Sequence, residues 1–373
     1  MPLGENIGKL GFGLMRLPQK DGAIDVEQVK AMVDKFLAAG FTYFDTAWAY
    51  PGSEEAIRQA LVERYPRSAF QLATKNAAWI NCATREDAIA QFHTSLERTG
   101  AGYFDFYLLH NLGESRTQVF EDFDLWNFAL EQKKAGRIRH LGFSFHSTPE
   151  ELEGILKAHP EAEFVQLQIN YADWEQPAIQ SRGVYEMARK YGKPVIIMEP
   201  VKGGMLANPP EPVARIFKEA DPQASCASWA IRFAAGLDGV LTVLSGMSSI
   251  EQMEDNLSYM KGFSKLSDSQ LATVEKARTV LAGIPVIPCT SCNYCAKACP
   301  EGIGISGTFY AMNLLTLYGS KEFAQTQENW QVAMHGLKPA KDCLKCGKCE
   351  KVCPQHIAIR EELQKCAAVF THE

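Results

Sequence analysis

From the N-terminus to about residue 280 the chain alternates between two hydrophobic rhythms. Short apolar runs rich in β-branched and aromatic residues (FTYFDT, FQLATK, FDFYLLH, IRHLGFSF, FVQLQIN, PVIIME and GVLTVLSG) read as strands. The stretches between them, such as DVEQVKAMVDKFLAAG, TREDAIAQFHTSLERTG and PQASCASWAIRFAAG, are longer and amphipathic and read as helices. Several of these stop at glycine (Gly40, Gly100, Gly236), as helix C-termini often do. Seven strand–helix units follow the N-terminal GKLGFGLMR, and that run itself makes an eighth. Continuous apolar strands alternating with helices imply a parallel sheet covered on its faces. Roughly 260 residues in eight such units is the size of an α/β TIM (β/α)8 barrel. The rival is a doubly wound open sheet, which the absence of G-x-G-x-x-G after the first strand disfavours.

The rhythm ends with KLSDSQLATVEKARTVLAG, one more helix with Ser267 as its N-cap, followed by IPVIPCT, a short stiff linker. The expected division is a barrel over residues 1–283 and a second domain over 284–373.

That second domain holds eight of the eleven cysteines, in two copies of C-x2-C-x2-C-x3-C-P. One copy is Cys289, Cys292, Cys295 and Cys299 before Pro300; the other is Cys343, Cys346, Cys349 and Cys353 before Pro354. This spacing lets one backbone loop wrap thiolates around an iron–sulfur cubane. Zinc is the alternative, but structural zinc sites pair two C-x2-C units across a gap of about twelve or more residues. A disulfide framework is disfavoured in a long chain with closely spaced cysteines. In two-cluster ferredoxins the fourth cysteine of each run ligates the other cluster. The same exchange here would join Cys353 to Cys289, Cys292 and Cys295, and Cys299 to Cys343, Cys346 and Cys349. The segment between the motifs, with TFYAMNLLTLYG and KEFAQTQENWQVAMHG, predicts a mostly α-helical ferredoxin-like domain. Cys82, Cys226 and Cys366 have no partner spacing and read as incidental thiols.

Composition narrows the rest. At 373 residues and 46% hydrophobic content the chain can bury a large core. A net charge of −6 argues against nucleic acid as a partner. The start lacks an apolar core flanked by basic residues, so no signal peptide is expected, and no run reaches the roughly eighteen apolar residues of a membrane span. Thiolates kept for cluster assembly fit a reducing compartment, and the expectation is a cytoplasmic protein without a membrane partner.

Reactive groups of such a barrel sit where strands end. One strand runs into Asp45 and brings Tyr50 five residues later; the next ends at Lys75, the one after at His110. Together they make a proton-transfer site in which a lysine held by Asp45 lowers the Tyr50 pKa and a neutral His110 orients a carbonyl oxygen. Trp48, Trp79 and Phe145 are candidates to line an aromatic pocket beside it.

DTAxxY at 45–50, TK at 74–75 and LLH at 108–110, with GFG at 11–13, VQLQINY at 165–171 and MEDNL at 253–257, resemble the aldo/keto reductase family. The whole chain is similar to the subgroup carrying a C-terminal two-cluster 4Fe-4S domain. The resemblance implies carbonyl reduction or alcohol oxidation with Tyr50 as proton donor and acceptor. It also implies NAD(P)H, with Ser144 and Gln166 on the nicotinamide carboxamide and Asn256 at the adenine end. Against the family pattern, Phe145 follows Ser144 where Asn is usual, Met198 replaces the stacking tyrosine, and Gly246, Met247 and Gln252 offer no cation to a 2′-phosphate. No strong NADPH preference is therefore expected, unless a cation such as Lys202 or Lys261 reaches in.

Hydride moves two electrons and a cluster moves one, so a flavin enters as a candidate converter, and a separate ferredoxin or flavoprotein as a candidate redox partner. Gly203, Gly204 and Gly246 stand where a flavin phosphate loop would lie, and also read as turn glycines. Two functions follow: a carbonyl-active oxidoreductase wired to two 4Fe-4S clusters, or an electron-transfer or docking module on a barrel with little reductase activity.

Overall fold

The computed structural model describes all residues except 1, 2, 6, 81, 114, 115, 178, 285, 288, 290–293, 354–356 and 373. Cys292, the linker prolines Pro285 and Pro288, and Pro354 of the second motif thus lie outside the described residues. Two compact units form, one of residues 1–207 with 223–274, the other of 208–222 with 275–373.

The first unit is a closed barrel of eight parallel strands in sequential order. They are β1 (Leu10–Gly13), β2 (Tyr43–Asp45), β3 (Gln71–Asn76), β4 (Phe104–Leu112), β5 (Ile138–Phe145), β6 (Phe164–Gln168), β7 (Val195–Met198) and β8 (Val240–Ser245). β8 returns to β1 with Leu10 opposite Val243, which closes the ring without an edge.

Strand side chains alternate with a period of two, and here both faces are apolar. One set (Phe12, Phe44, Leu72, Leu109, Phe143, Val165, Ile197) joins the core shared with the surrounding helices. The other set (Tyr43, Ala73, Phe106, Leu108, Phe164, Ile196, Leu244) packs together as the barrel interior. By this parity Asp45 follows Tyr43 inward, Lys75 follows Ala73, Gln166 follows Phe164 and Met198 follows Ile196.

Helix ends follow local chemistry. Thr84 and Asp87 form a reciprocal capping box at the start of Arg85–Thr99, and Gly100 ends that helix at φ 63°. Gly236, expected to stop a helix in the same manner, does so in ordinary right-handed geometry. Ser267 caps Asp268–Ala282, accepting from the Gln270 amide at 3.3 Å. An additional hairpin pairs Gln19–Lys20 with Ala23–Ile24. Its Asp21-Gly22 turn has φ of 53° and 80°, the two positive angles a two-residue hairpin loop demands.

In the second unit the expected helical connection is present as Ile305–Tyr318 and Lys321–Gln331. Asn313 holds the chain leading to the first motif, its side-chain amide exchanging bonds of 2.8 and 2.9 Å with the Ile287 backbone. Among the described residues no helix is long and apolar enough to cross a membrane.

Candidate active site and cluster cradle

Asp45 closes β2 and Lys75 lies near the end of β3, so the two inward side chains meet in the barrel interior. Lys75 Nζ donates to Asp45 Oδ1 at 2.5 Å and to the Thr46 carbonyl at 2.7 Å, with Lys75 0% and Asp45 3% exposed. Burial favours a neutral amine, but the Asp45 carboxylate and the Tyr50 phenol outweigh it and hold the Lys75 pKa above its ordinary value. The ammonium lies 5.1 Å from the centre of the Tyr50 ring.

Tyr50 departs from the sequence expectation. Desolvation raises its pKa, the Lys75 charge and hydrogen bond pull it down, and Asp45 and Glu199 oppose them, leaving the phenol above its ordinary value. Lys75 acts in the expected direction, but burial wins. Tyr50 keeps partial exposure, so water screens part of that burial.

His110 stands edge-on to Tyr50, with ring centres 5.9 Å apart at 84°. Desolvation, then the Lys75 and His146 charges, drive its pKa well below the usual range, so the ring is neutral. A register irregularity between β4 and β5, from Leu109 to Leu112, spans this histidine. Asn111 inside it has φ 62° and donates its amide to Ser144 Oγ at 2.7 Å. Such irregularities re-aim side chains beside active sites. The sequence signal was the asparagine after LLH, a residue that tolerates the left-handed region.

The aromatic candidates part ways. Trp79 donates its indole N–H to the His110 carbonyl at 2.9 Å and stays 37% exposed. Trp48 is partly exposed under the Arg98 guanidinium. Phe145 is not at the site: it is 1% exposed in the helix-facing core, because its neighbour Ser144 takes the inward position.

Ser144 and Gln166 face each other across β5 and β6. Gln166 donates to Met198 Sδ at 3.6 Å, a weak acceptor, while its Oε1 is buried with no partner among the described residues. Asn256, on the helix Ile250–Met260, donates to the Gln252 carbonyl at 2.8 Å and likewise leaves Oδ1 buried and unpaired. Two orphaned acceptors and the Ser144 hydroxyl fit the donors of a nicotinamide carboxamide and an adenine amine. Lys202 is not free to meet a phosphate, being ion-paired with Asp173. Arg16, which the sequence reading passed over, is exposed beside the turn, with Nη2 3.3 Å from where a Cβ on Gly203 would stand. Gly203 and Gly204 adopt φ of 67° and 99°, as turn glycines do.

In the second unit Cys299 and three cysteines of the other motif, Cys343, Cys346 and Cys349, line one shallow cavity. Leu344, Gly347 and Leu363 also line it. Among the described residues no three His, Cys, Asp or Glu side chains converge as a single bare metal ion would require. Four thiols spaced around a cavity suit a multi-atom cluster instead. The Lys345 amide donates to Cys343 Sγ at 3.4 Å, a bond of the kind that tunes cluster potentials. Cys289, Cys295 and Cys353 share one hydrophobic core with Cys299, Cys343 and Cys349, while Cys292 is outside the described residues. A parallel bridge between Ile303 and Lys338 ties the chain after one motif to the chain before the other.

Residues 9–279 match the aldo/keto reductase family, nearly three quarters of the sequence. The chain belongs to that family. Residues 288–358 match the 4Fe-4S dicluster domain, making this family member an iron–sulfur oxidoreductase. Similar proteins include an aldo-keto reductase of Mycobacterium sp. (strain KMS), 26% identical over 210 residues, covering 55% of this chain and 68% of the relative. A D-galacturonate reductase of Fragaria ananassa is 31% identical over 151 residues, 36% of this chain and 46% of the relative. Among solved structures, an aldo-keto reductase from Klebsiella pneumoniae in complex with NADPH superposes with a TM-score of 0.58 at 20% identity, over 72% of this chain and 90% of that one. An aldo-keto reductase from Bacillus halodurans gives 0.56 at 23% identity, over 73% and 92%. At these identities the structural likeness speaks for the reductase's fold alone.

Proposed function

We propose that this aldo/keto reductase reduces a small carbonyl compound, or oxidises the matching alcohol, with electrons linked to two 4Fe-4S clusters. The carrying observation is the buried Lys75–Asp45 ion pair set against the partly open Tyr50 phenol and a neutral His110. A nicotinamide held by Gln166, Ser144 and Asn256 would supply hydride chemistry at the carbonyl carbon. Tyr50 gives its proton to the carbonyl oxygen, and the fixed Lys75 ammonium stabilises the phenolate left behind. His110, unable to carry charge, orients that oxygen through a ring nitrogen. The alcohol product balances one hydride and one proton. Gln166 and Ser144 would hold the carboxamide and Asn256 the adenine, as the unpaired oxygens of Gln166 and Asn256 favour.

Cys289, Cys292, Cys295 and Cys353 would hold one cluster, and Cys299, Cys343, Cys346 and Cys349 the other; the shared cavity supports the second set. Clusters supply single electrons, so we assign the two-to-one-electron conversion to a flavoprotein partner, whose flavin handles both; a ferredoxin would exchange only single electrons with the clusters. Exposed Lys345, Lys348 and Lys351 beside exposed Cys346 and Leu344 suit an acidic carrier.

Oxygen-free purification followed by titration with NADPH, carbonyl substrate and reduced carrier tests this reading. Carbonyl turnover coupled to bleaching and recovery of the iron–sulfur absorbance is expected. Turnover without any cluster redox change would leave the clusters structural, and cluster reduction without turnover would leave an electron-transfer module.

A further inference from the structure

Beside the tetrad, at the C-terminal ends of β5 and β6, a buried chain of polar groups has no part in the chemistry above. His146 directly follows β5, its backbone amide donating to the Leu112 carbonyl at 3.2 Å, and it is near enough to His110 to oppose that ring's protonation. Its Nδ1 lies 3.2 Å from Gln168 Oε1. Gln168 Nε2 lies 3.0 Å from Asp173 Oδ2, and Lys202 pairs with Asp173 Oδ1. Asn170 donates to the same Asp173 Oδ2 at 2.8 Å and receives the Asp173 amide at 2.9 Å.

The polarity of this chain can be read from one end to the other. A carboxylate held by an ammonium only accepts, so the Gln168 group facing Asp173 must be its NH2. Its carbonyl oxygen therefore faces His146 and also only accepts, so Nδ1 must carry the hydrogen. The opposite tautomer would set two lone pairs against each other. Nε2 is consequently the lone-pair nitrogen, and among the described residues no group donates to it. His146 is only partly buried, and it follows the end of the strand whose Ser144 faces the site. Burial lowers the His146 pKa to about 4, against the Gln168 contact and aided by Arg116, so at neutral pH the ring stays an acceptor.

We propose that His146 forms a recognition site for a hydrogen-bond donor on the substrate, a hydroxyl or N–H near the reacting carbonyl, which it engages through Nε2. This rests on the carbonyl-reductase reading and adds a substrate class to it: hydroxy-carbonyl or amide-bearing carbonyl compounds over plain aldehydes. Asp173, Gln168 and Lys202 are positioning residues that fix the tautomer.

Two measurements on the intact, cluster-loaded protein decide it. Nitrogen-15 spectra of the imidazoles should show His146, assigned by its loss in His146→Phe, with hydrogen on Nδ1; hydrogen on Nε2 would overturn the proposal. In turnover, the kcat/KM ratio of glyceraldehyde over propanal should fall at least about tenfold in His146→Phe, the scale of a lost polar recognition contact. Gln168→Leu should lower the same ratio by freeing the tautomer. An unchanged ratio in His146→Phe overturns the proposal while leaving carbonyl reduction standing. Absence of wild-type turnover with either aldehyde would instead remove the reductase reading, and the substrate assignment with it.

Discussion

Lys75 donates to Asp45 at 2.5 Å in the barrel interior, where neither side chain meets appreciable solvent. An ion pair so enclosed has more than a catalytic consequence. Removing one member strands the other charge in a medium that cannot solvate it, a cost of about 3–5 kcal/mol. Lys75→Met should therefore lower both turnover and thermal stability, whereas Lys75→Met combined with Asp45→Leu should recover much of the stability and none of the turnover. Paired thermal melts and rate measurements check this; an unshifted melt for the single variant would show that the pair is not load-sharing.

Tyr50→Phe removes only a hydroxyl from a partly exposed ring. The fold and both clusters should persist, while turnover drops about 10²-fold to 10⁴-fold, the range for a lost general acid. The assay is single-turnover carbonyl reduction beside the iron–sulfur spectrum. Undiminished turnover would leave the tetrad without a role.

The cluster domain should hold about eight irons per chain, four in each cubane. Because Cys299 shares its cavity with Cys343, Cys346 and Cys349, Cys299→Ala should damage the cluster built on the second motif, and Cys353→Ala the one built on the first. Iron analysis with electron paramagnetic resonance of each variant distinguishes the two. Damage confined to the motif that carries the substitution would overturn ligand exchange.

Glu163 accepts from Lys133 at 2.5 Å, from the Leu141 amide at 2.9 Å and lies 3.0 Å from His140 Nδ1. Burial alone would raise its pKa, but the bonds from His140, Lys133 and Leu141 outweigh it and hold the carboxyl at about 2. A pKa lower in the folded than in the unfolded chain lends stability above the unfolded value. That stability is lost as pH falls from roughly 5 toward 2. Glu163→Gln should lower stability at neutral pH and flatten its acid dependence through that window. Chemical denaturation at stepped pH measures both, and parallel curves for the two proteins would contradict the assignment.

Nucleotide preference should be shallow. Lys202 is committed to Asp173, and Gly246, Met247 and Gln252 carry no cation, so NADPH should bind at most about tenfold better than NADH, roughly 1.4 kcal/mol. Whatever preference exists should shrink in Arg16→Ala. Calorimetry with both nucleotides is the check, and a hundredfold NADPH preference would mean that another cation reaches the phosphate.

The alternation of strand and helix, the doubled cysteine spacing and the order Asp45, Tyr50, Lys75, His110 were legible in the chain, because each depends on local periodicity or on residues at strand ends. The Asp21-Gly22 turn is a local signal as well, but the strands it joins are two residues each, too short to show hydrophobic alternation. Which face of a strand looks inward was harder. In a barrel wrapped by helices both faces are apolar, so hydrophobic alternation does not mark the interior, and Phe145 passed for a pocket residue. Parity with Ser144 settles it only once the strand has neighbours. Tertiary structure alone decided that burial outweighs Lys75 at the Tyr50 phenol, since desolvation depends on everything packed around a group. It also brought Arg16 beside Gly203, and aligned His146, Gln168, Asp173 and Lys202 into a chain with one polarity. Those residues come from the ends of three neighbouring strands, β5, β6 and β7, and only the pairing of those strands brings them together.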